Sequence, residues 1–77
     1  MKLGVYQHYK GNLYQVIGLA RHSETLEAMV VYQALYEGFG LWVRPAGMFL
    51  EIISFEGKEV PRFKFVSEGL GQLPKVD

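Results

Sequence analysis

The sequence contains no cysteine, a single aspartate and no long apolar run. Without cysteine, the protein has no disulfide, no thiolate metal site and no cysteine nucleophile. No apolar run approaches the roughly 18–20 residues that a membrane-spanning helix needs, and residues 1–6 lack the apolar core of a signal peptide. These absences predict a protein of the reducing cytoplasm with no membrane partner.

Net charge is also absent, since eight basic side chains balance eight acidic ones. A neutral chain has no general electrostatic field that would attract nucleic acid, although a local basic patch remains compatible with neutrality. The 77 residues allow a single domain. Hydrophobic residues make up 49% of the chain and aromatic residues 14%, which supplies the core of such a domain.

Two long apolar stretches joined by a polar connection predict the central hairpin of the fold. The first covers residues 13–22 and contains Gly18, which indicates a β-bulge or a sharp bend. The second covers residues 28–36 and is apolar on both of its faces. A connection of two or four residues places Gly18 opposite Val31, whereas a connection of three residues would shift the register by one.

Short strands separated by turns of a few residues continue to residue 66. A single helical or 3₁₀ turn is expected at Pro45–Phe49, and residues 60–66 are expected to form one strand with Pro61 at an edge or first position. Five to six such strands predict an all-β (mainly β) fold, a small SH3-like antiparallel barrel. We expect residues 1–66 to form this single domain and residues 67–77 to form a C-terminal tail.

An enzymatic interpretation depends on His22. Ser23 is adjacent to it, but neighbouring strand residues point to opposite faces, which argues against a serine nucleophile activated by this histidine. A small hydrolase would instead use His22 as a general base oriented by Glu24 or Glu27. Carboxylates at hairpin ends are more often solvated, or protect a strand edge from pairing.

Metal binding has few candidate ligands in this sequence. The two imidazoles are His8 and His22, the nearest carboxylates are Glu24 and Glu27, and their spacing matches no zinc motif. We therefore predict neither a metal nor a cofactor.

Arginines interleaved with aromatic residues suggest a ligand groove. Arg44 and Arg62 would supply bidentate hydrogen bonds, and Tyr32 and Trp42 would supply flat surfaces for stacking. A nucleotide or a single-stranded nucleic acid would be held in much the same way. In the alternative interpretation, the aromatic residues fill the core and the arginines make ordinary surface ion pairs.

Five blocks of the sequence resemble one bacterial protein family. They read GVYQHYKGNLYQV at 4–16, ARHSETLE at 20–27, VVYQALY at 30–36, WVRPAGMF at 42–49 and VPRF at 60–63. Together they are similar to the bacterial domain-of-unknown-function family 1653. The resemblance implies a small stand-alone bacterial protein of SH3-like character with no established activity. It also marks more polar positions than packing requires, which favours a ligand site at the mouth that holds His22, Glu24, Arg44 and Arg62.

The leading prediction is a non-enzymatic binding module whose aromatic and charged groove takes a peptide or a small anionic ligand. A small hydrolase, a nucleotide or single-stranded nucleic-acid binder, and a purely structural role for the polar bend are the alternatives. The chain is expected to be a monomer or a weak homodimer. The predicted ligand-binding residues are His8, Arg21, His22, Ser23, Glu24, Tyr32, Trp42, Arg44 and Arg62.

Overall fold

The computed structural model describes residues 1–68, which form seven β-strands and one short helix. In chain order these elements are β1 (Gly4–His8), β2 (Leu13–Arg21), β3 (Ala28–Ala34), β4 (Leu41–Pro45), α1 (Ala46–Phe49), β5 (Ile52–Phe55), β6 (Lys58–Pro61) and β7 (Phe63–Ser67). No helix in this described part of the chain is long and apolar enough to cross a membrane. Most of the predicted C-terminal tail, from residue 69 onward, lies outside the described residues.

The strands form two antiparallel sheets. The larger sheet has five strands in the order β4-β3-β2-β1-β7, and the smaller sheet is the hairpin of β5 and β6. This arrangement confirms the predicted all-β class, and α1 confirms the helical turn predicted at Pro45–Phe49. The SH3-like barrel remains a prediction, because the larger sheet ends in the outer strands β4 and β7.

The strand predicted over residues 60–66 is wrong, because the chain bends at Arg62 and forms two strands there. Before the bend, β6 pairs with β5, and after it β7 pairs with β1, so the count rises from five or six strands to seven. The Arg62 main chain leaves both ladders: its N–H donates to the Glu51 carbonyl at 2.8 Å, and its carbonyl accepts from the Tyr9 N–H at 3.0 Å. The bend therefore attaches the small hairpin to the larger sheet.

The central hairpin has the register that a connection of four residues predicts. Gly18 lies opposite Val31, and the backbone N–H of His22 donates to the carbonyl of Glu27 at 2.8 Å. The register shifts between Val16 and Gly18, which confirms the predicted bulge. Because the bulge inserts one residue, the side chains of β2 that follow it change faces relative to those before it.

The core is formed by large rings around a pair of phenylalanines. Phe49 is fully buried, and its ring stacks on Phe63 with the centroids 4.1 Å apart and the planes 2° from parallel. Tyr6 and Tyr32 present their ring edges to Phe49 at 5.4 and 5.3 Å. Burying whole aromatic side chains is how a chain of this length removes enough apolar surface from water.

Truncation of Phe49 tests this account of the core. We expect Phe49→Ala to lower the free energy of unfolding by about 3–5 kcal/mol, because it removes a fully buried ring and leaves a cavity beside Phe63. Met48→Ala is the matched control from the same helix, where the side chain is 47% exposed, and it should change stability by no more than about 0.5 kcal/mol. Urea unfolding measures both values, and equal effects of the two substitutions would contradict the assignment.

Candidate functional site

The polar bend between β2 and β3 is a turn that its own side chains hold in place. The Nδ1 atom of His22 accepts hydrogen bonds from the backbone N–H groups of Glu24 at 3.1 Å and Thr25 at 3.3 Å. Leu26 adopts a left-handed backbone with φ of 64°, an uncommon conformation for a residue other than glycine. The imidazole therefore stabilises a turn whose backbone groups have no ladder partners.

Two further side chains complete the same turn. The hydroxyl oxygen of Thr25 accepts from the Glu27 N–H at 3.2 Å, and Nη1 of Arg21 donates to the Leu26 carbonyl at 3.1 Å. Two of the predicted ligand-binding residues, Arg21 and His22, are thus used on the backbone of the turn, together with Thr25. The remaining two predicted ligand-binding residues of this segment, Ser23 and Glu24, are exposed.

A second polar group gathers around Tyr14, at the opposite end of β2 and roughly 23 Å of extended strand from Arg21. We call it the His8 cluster. It consists of a histidine, three tyrosines and two arginines: His8, Tyr14, Tyr32, Tyr36, Arg44 and Arg62. The side chain of Arg44 reaches this cluster from β4, where its backbone lies opposite Val30. The structure therefore separates the predicted site residues, since Arg21, His22, Ser23 and Glu24 lie at the turn. Trp42 lies opposite Tyr32 on the outer strand β4 and is 53% exposed.

The rings of the His8 cluster continue directly from the core. The imidazole of His8 lies 4.9 Å from Phe63 and 4.5 Å from Tyr9, measured between ring centroids. Tyr14 presents its ring edge to Phe63 at 5.6 Å and to Tyr32 at 5.4 Å. Close packing on buried rings fixes the positions of these rings, so they are preorganised before any ligand binds.

Two tyrosine hydroxyls of the cluster bond to each other. Those of Tyr14 and Tyr36 are 2.9 Å apart and share a hydrogen bond. Burial, and then this bond with Tyr36, raises the pKa of Tyr14 to about 12. Neither residue is among the predicted ligand-binding residues. The alternation of side chains along β2 could have indicated Tyr14, because Tyr14 and Val16 lie on the same face of the strand and Val16 pairs with Tyr32.

The two arginines of the cluster have incomplete sets of partners. Nε of Arg44 donates to the Tyr32 hydroxyl at 3.3 Å, and its guanidinium carbon lies 5.8 Å from the Phe63 ring centroid. Within residues 1–68, no carboxylate pairs with Arg44. Arg62 forms a salt bridge from Nη2 to Glu51 at 2.8 Å, while its Nε is buried without a hydrogen-bond partner in the described part of the chain.

Three cations act on His8. Burial lowers the pKa of the imidazole, and Arg44, Arg62 and Lys10 lower it further. Nδ1 of His8 also accepts a hydrogen bond from the Lys10 N–H at 3.2 Å, which favours the neutral ring. The position of His8 is thus a region of positive potential in which an anion would be stabilised.

Metal ligands do not converge in the described part of the chain. Among residues 1–68, no three His, Asp or Glu side chains form a group that could hold a metal ion. The chemistry that the His8 cluster offers is donation of hydrogen bonds from tyrosines and arginines.

Comparison with known proteins identifies one family. The model of the family DUF1653, described as a protein of unknown function, matches residues 4–65. The chain is also similar to the crystal structure of a protein of that family from Bordetella bronchiseptica, with 36% sequence identity and a TM-score of 0.83. The similarity covers 97% of this chain and 95% of that chain. No curated protein matches the chain.

Substitution of His22 tests its role in the turn. We expect His22→Ala to cost about 1 kcal/mol of unfolding free energy, because the N–H groups of Glu24 and Thr25 lose their acceptor. The same variant should speed amide hydrogen exchange at these two positions. His22→Asn retains an acceptor and should restore much of the protection. Ser23→Ala is the control on the exposed neighbour, and unchanged exchange in His22→Ala would show that the turn does not depend on the imidazole.

The lowered pKa of His8 predicts a pH dependence of stability. Because the folded-state pKa lies below the ordinary value of about 6.5, unfolding takes up protons and stability falls as the pH drops through this range. We expect wild-type stability to decline more steeply than that of His8→Asn between about pH 7.5 and pH 5.5. Urea unfolding at a series of pH values measures the difference. Parallel curves for the two proteins would refute the prediction.

Proposed function

Since the chain belongs to the DUF1653 family of proteins of unknown function, we propose its function from its own side chains: it is a non-enzymatic binding module that takes a small oxyanion at the His8 cluster. The SH3-like form of the sheet and a location in the bacterial cytoplasm are parts of the same proposal. Of the two ligand classes that the sequence suggests, the structure favours the small anion over the peptide.

The observation that carries the proposal is the excess of cationic groups around His8. Arg44, Arg62 and Lys10 all act on the imidazole, and the salt bridge from Glu51 to Arg62 is the one carboxylate contact in this group within residues 1–68. Cations held close together without counter-charges repel one another. A bound oxyanion would relieve that repulsion.

The donors of the cluster match the acceptor pattern of a carboxylate or phosphate. Guanidinium groups present several N–H donors in one plane, and charge-assisted bonds from them to oxyanions are stronger than bonds between neutral groups. Nε of Arg62 is buried and still lacks an acceptor among the described residues, which costs free energy unless a ligand supplies one. The hydroxyl of Tyr14, whose pKa is raised to about 12, belongs to the same cluster and keeps its proton at neutral pH.

The hydrogen bonds of His22 give less support to the hydrolase alternative than the sequence does. Nδ1 of His22 accepts two backbone N–H bonds, so in the neutral ring the proton is on Nε2 and no basic nitrogen is free. Among residues 1–68, the side-chain hydrogen bonds of the imidazole are with backbone N–H groups, and neither the Glu24 nor the Glu27 carboxylate accepts one from it. A nucleic-acid binder also loses support, since Arg21 donates to the Leu26 carbonyl within the turn, whereas Arg44 donates to Tyr32 in the His8 cluster.

The test is a titration with acetate and with inorganic phosphate, followed by NMR signals of the His8 ring and of the amides around it. In the wild type, either anion should shift these signals and raise the pKa of His8, because it offsets the charge of Arg44 and Arg62. Arg44→Gln should weaken anion binding by about ten-fold, the effect of losing one charge-assisted hydrogen bond. It should also raise the pKa of His8 in the absence of anion, because one of the cations that lower it is gone.

Lys58→Gln is the matched control. It removes the same charge from an exposed residue at the start of β6, outside the His8 cluster, and should leave anion affinity unchanged. Equal affinities of wild type and Arg44→Gln, or equal losses in Arg44→Gln and Lys58→Gln, would reject the proposed site. Signal shifts from a peptide but from neither anion would favour the peptide alternative instead.

A further inference from the structure

A cavity of about 400 Å³ lies where the small β5–β6 hairpin meets the larger sheet. This volume falls within the roughly 300–1,000 Å³ that is usual for small-molecule sites. Its lining residues come from the end of β1, the following turn, the small hairpin and β7: Gln7, His8, Tyr9, Gly11, Phe55, Val60, Pro61 and Lys64. Neither the family description nor the predicted groove assigns a role to this cavity.

The walls of the cavity are apolar and partly aromatic. The rings of Tyr9 and Phe55 meet edge to face with their centroids 5.0 Å apart, and Val60 and Pro61 continue the apolar surface. Ring faces and edges at such distances favour a flat apolar guest over a flexible polar chain. The cavity therefore suits an aromatic group.

The polar groups of the cavity are neutral or basic. They belong to Gln7, His8, Tyr9 and Lys64, and none of the described residues that line the cavity is acidic. The side chain of Gln7 is already used, because its Nε2 donates to the Gly11 carbonyl at 3.1 Å. A ligand that fills the cavity would therefore meet positive charge and no negative charge, which favours an acid over a neutral compound or an amine.

His8 connects this cavity to the oxyanion site. Its imidazole lies 4.5 Å from the Tyr9 ring on the cavity side and 4.9 Å from Phe63 on the side of the core. Pro61 lines the cavity and Arg62 follows it directly, with the Arg62 carbonyl bonded to the Tyr9 N–H at 3.0 Å. His8 is therefore common to the cavity and to the oxyanion site.

We propose, on the basis of the oxyanion site above, that the ligand is an aromatic carboxylic acid whose ring occupies the cavity between Tyr9, Phe55 and Val60 and whose carboxylate lies at His8. The ring gains from leaving water, and the carboxylate gains from the cations around His8. An inorganic anion uses only the second contribution, and an uncharged aromatic compound uses only the first.

The experiment compares three probes in the wild type: phenylacetate, acetate, and 2-phenylethanol as the uncharged counterpart of the acid. We expect phenylacetate to bind at least about ten-fold more tightly than acetate or 2-phenylethanol, as measured by NMR titration. Val60→Phe fills the cavity and should abolish that preference while the affinity for acetate stays unchanged. The unchanged acetate affinity also shows that the variant is folded.

Val66→Phe is the matched control for the cavity, because Val66 is 50% exposed on β7 and does not line it. This variant should keep the full preference for phenylacetate. Equal affinities of the wild type for phenylacetate and acetate, or a retained preference in Val60→Phe, would overturn the aromatic ligand and leave an Arg44-dependent oxyanion site standing. If neither acetate, phosphate nor phenylacetate binds the wild type, the oxyanion site is wrong as well.

Discussion

The stacked pair of Phe49 and Phe63 is the contact on which the other parts of the structure depend. Phe49 comes from a helix of four residues, which is too short to be stable without tertiary packing. That helix follows β4, and Phe63 begins β7, so the pair joins the two outer strands of the larger sheet through side chains. Side-chain packing therefore connects the two ends of the sheet, although its two outer strands are not hydrogen-bonded neighbours.

The candidate site is positioned by the same pair. From Phe63 the rings continue to His8, then to Tyr9 and to Phe55 on the small hairpin, each within 5.0 Å of the previous one. The guanidinium of Arg44 also lies over Phe63. Groups that would contact a ligand are therefore held by the core itself. A site built this way loses little conformational entropy when it binds.

The sequence predicts local pairing well and the gathering of distant side chains poorly. Gly18 identified the bulge because a glycine weakens a strand interior and is typically found there at a bulge or a tight bend, and a connection of four residues set the register around it. The bend at Arg62 could not be read from the sequence, since the residues around it favour a strand on both sides. Its cause lies in the main-chain bonds of Arg62 to Glu51 and Tyr9, which are distant in sequence.

The polar bend is a second place where residue types alone do not predict what the side chains contact. Arg21 and His22 are among the predicted ligand-binding residues, and Thr25 lies in the same turn. In the structure, each makes a hydrogen bond to the backbone of the turn. Residue type alone does not distinguish Arg21 from Arg44. Arg21 donates a hydrogen bond to the Leu26 carbonyl, whereas the guanidinium of Arg44 has no carboxylate partner within residues 1–68.

Arg62 both stabilises the bend and carries an unpaired donor, and it places the proposed site at the junction of the two sheets. Its backbone N–H donates to the Glu51 carbonyl and its Nη2 to the Glu51 carboxylate, so two bonds between the same residues orient the side chain. Its Nε remains buried without a partner among the described residues. The residue that stabilises the bend therefore also carries the unpaired donor on which the proposed anion site depends.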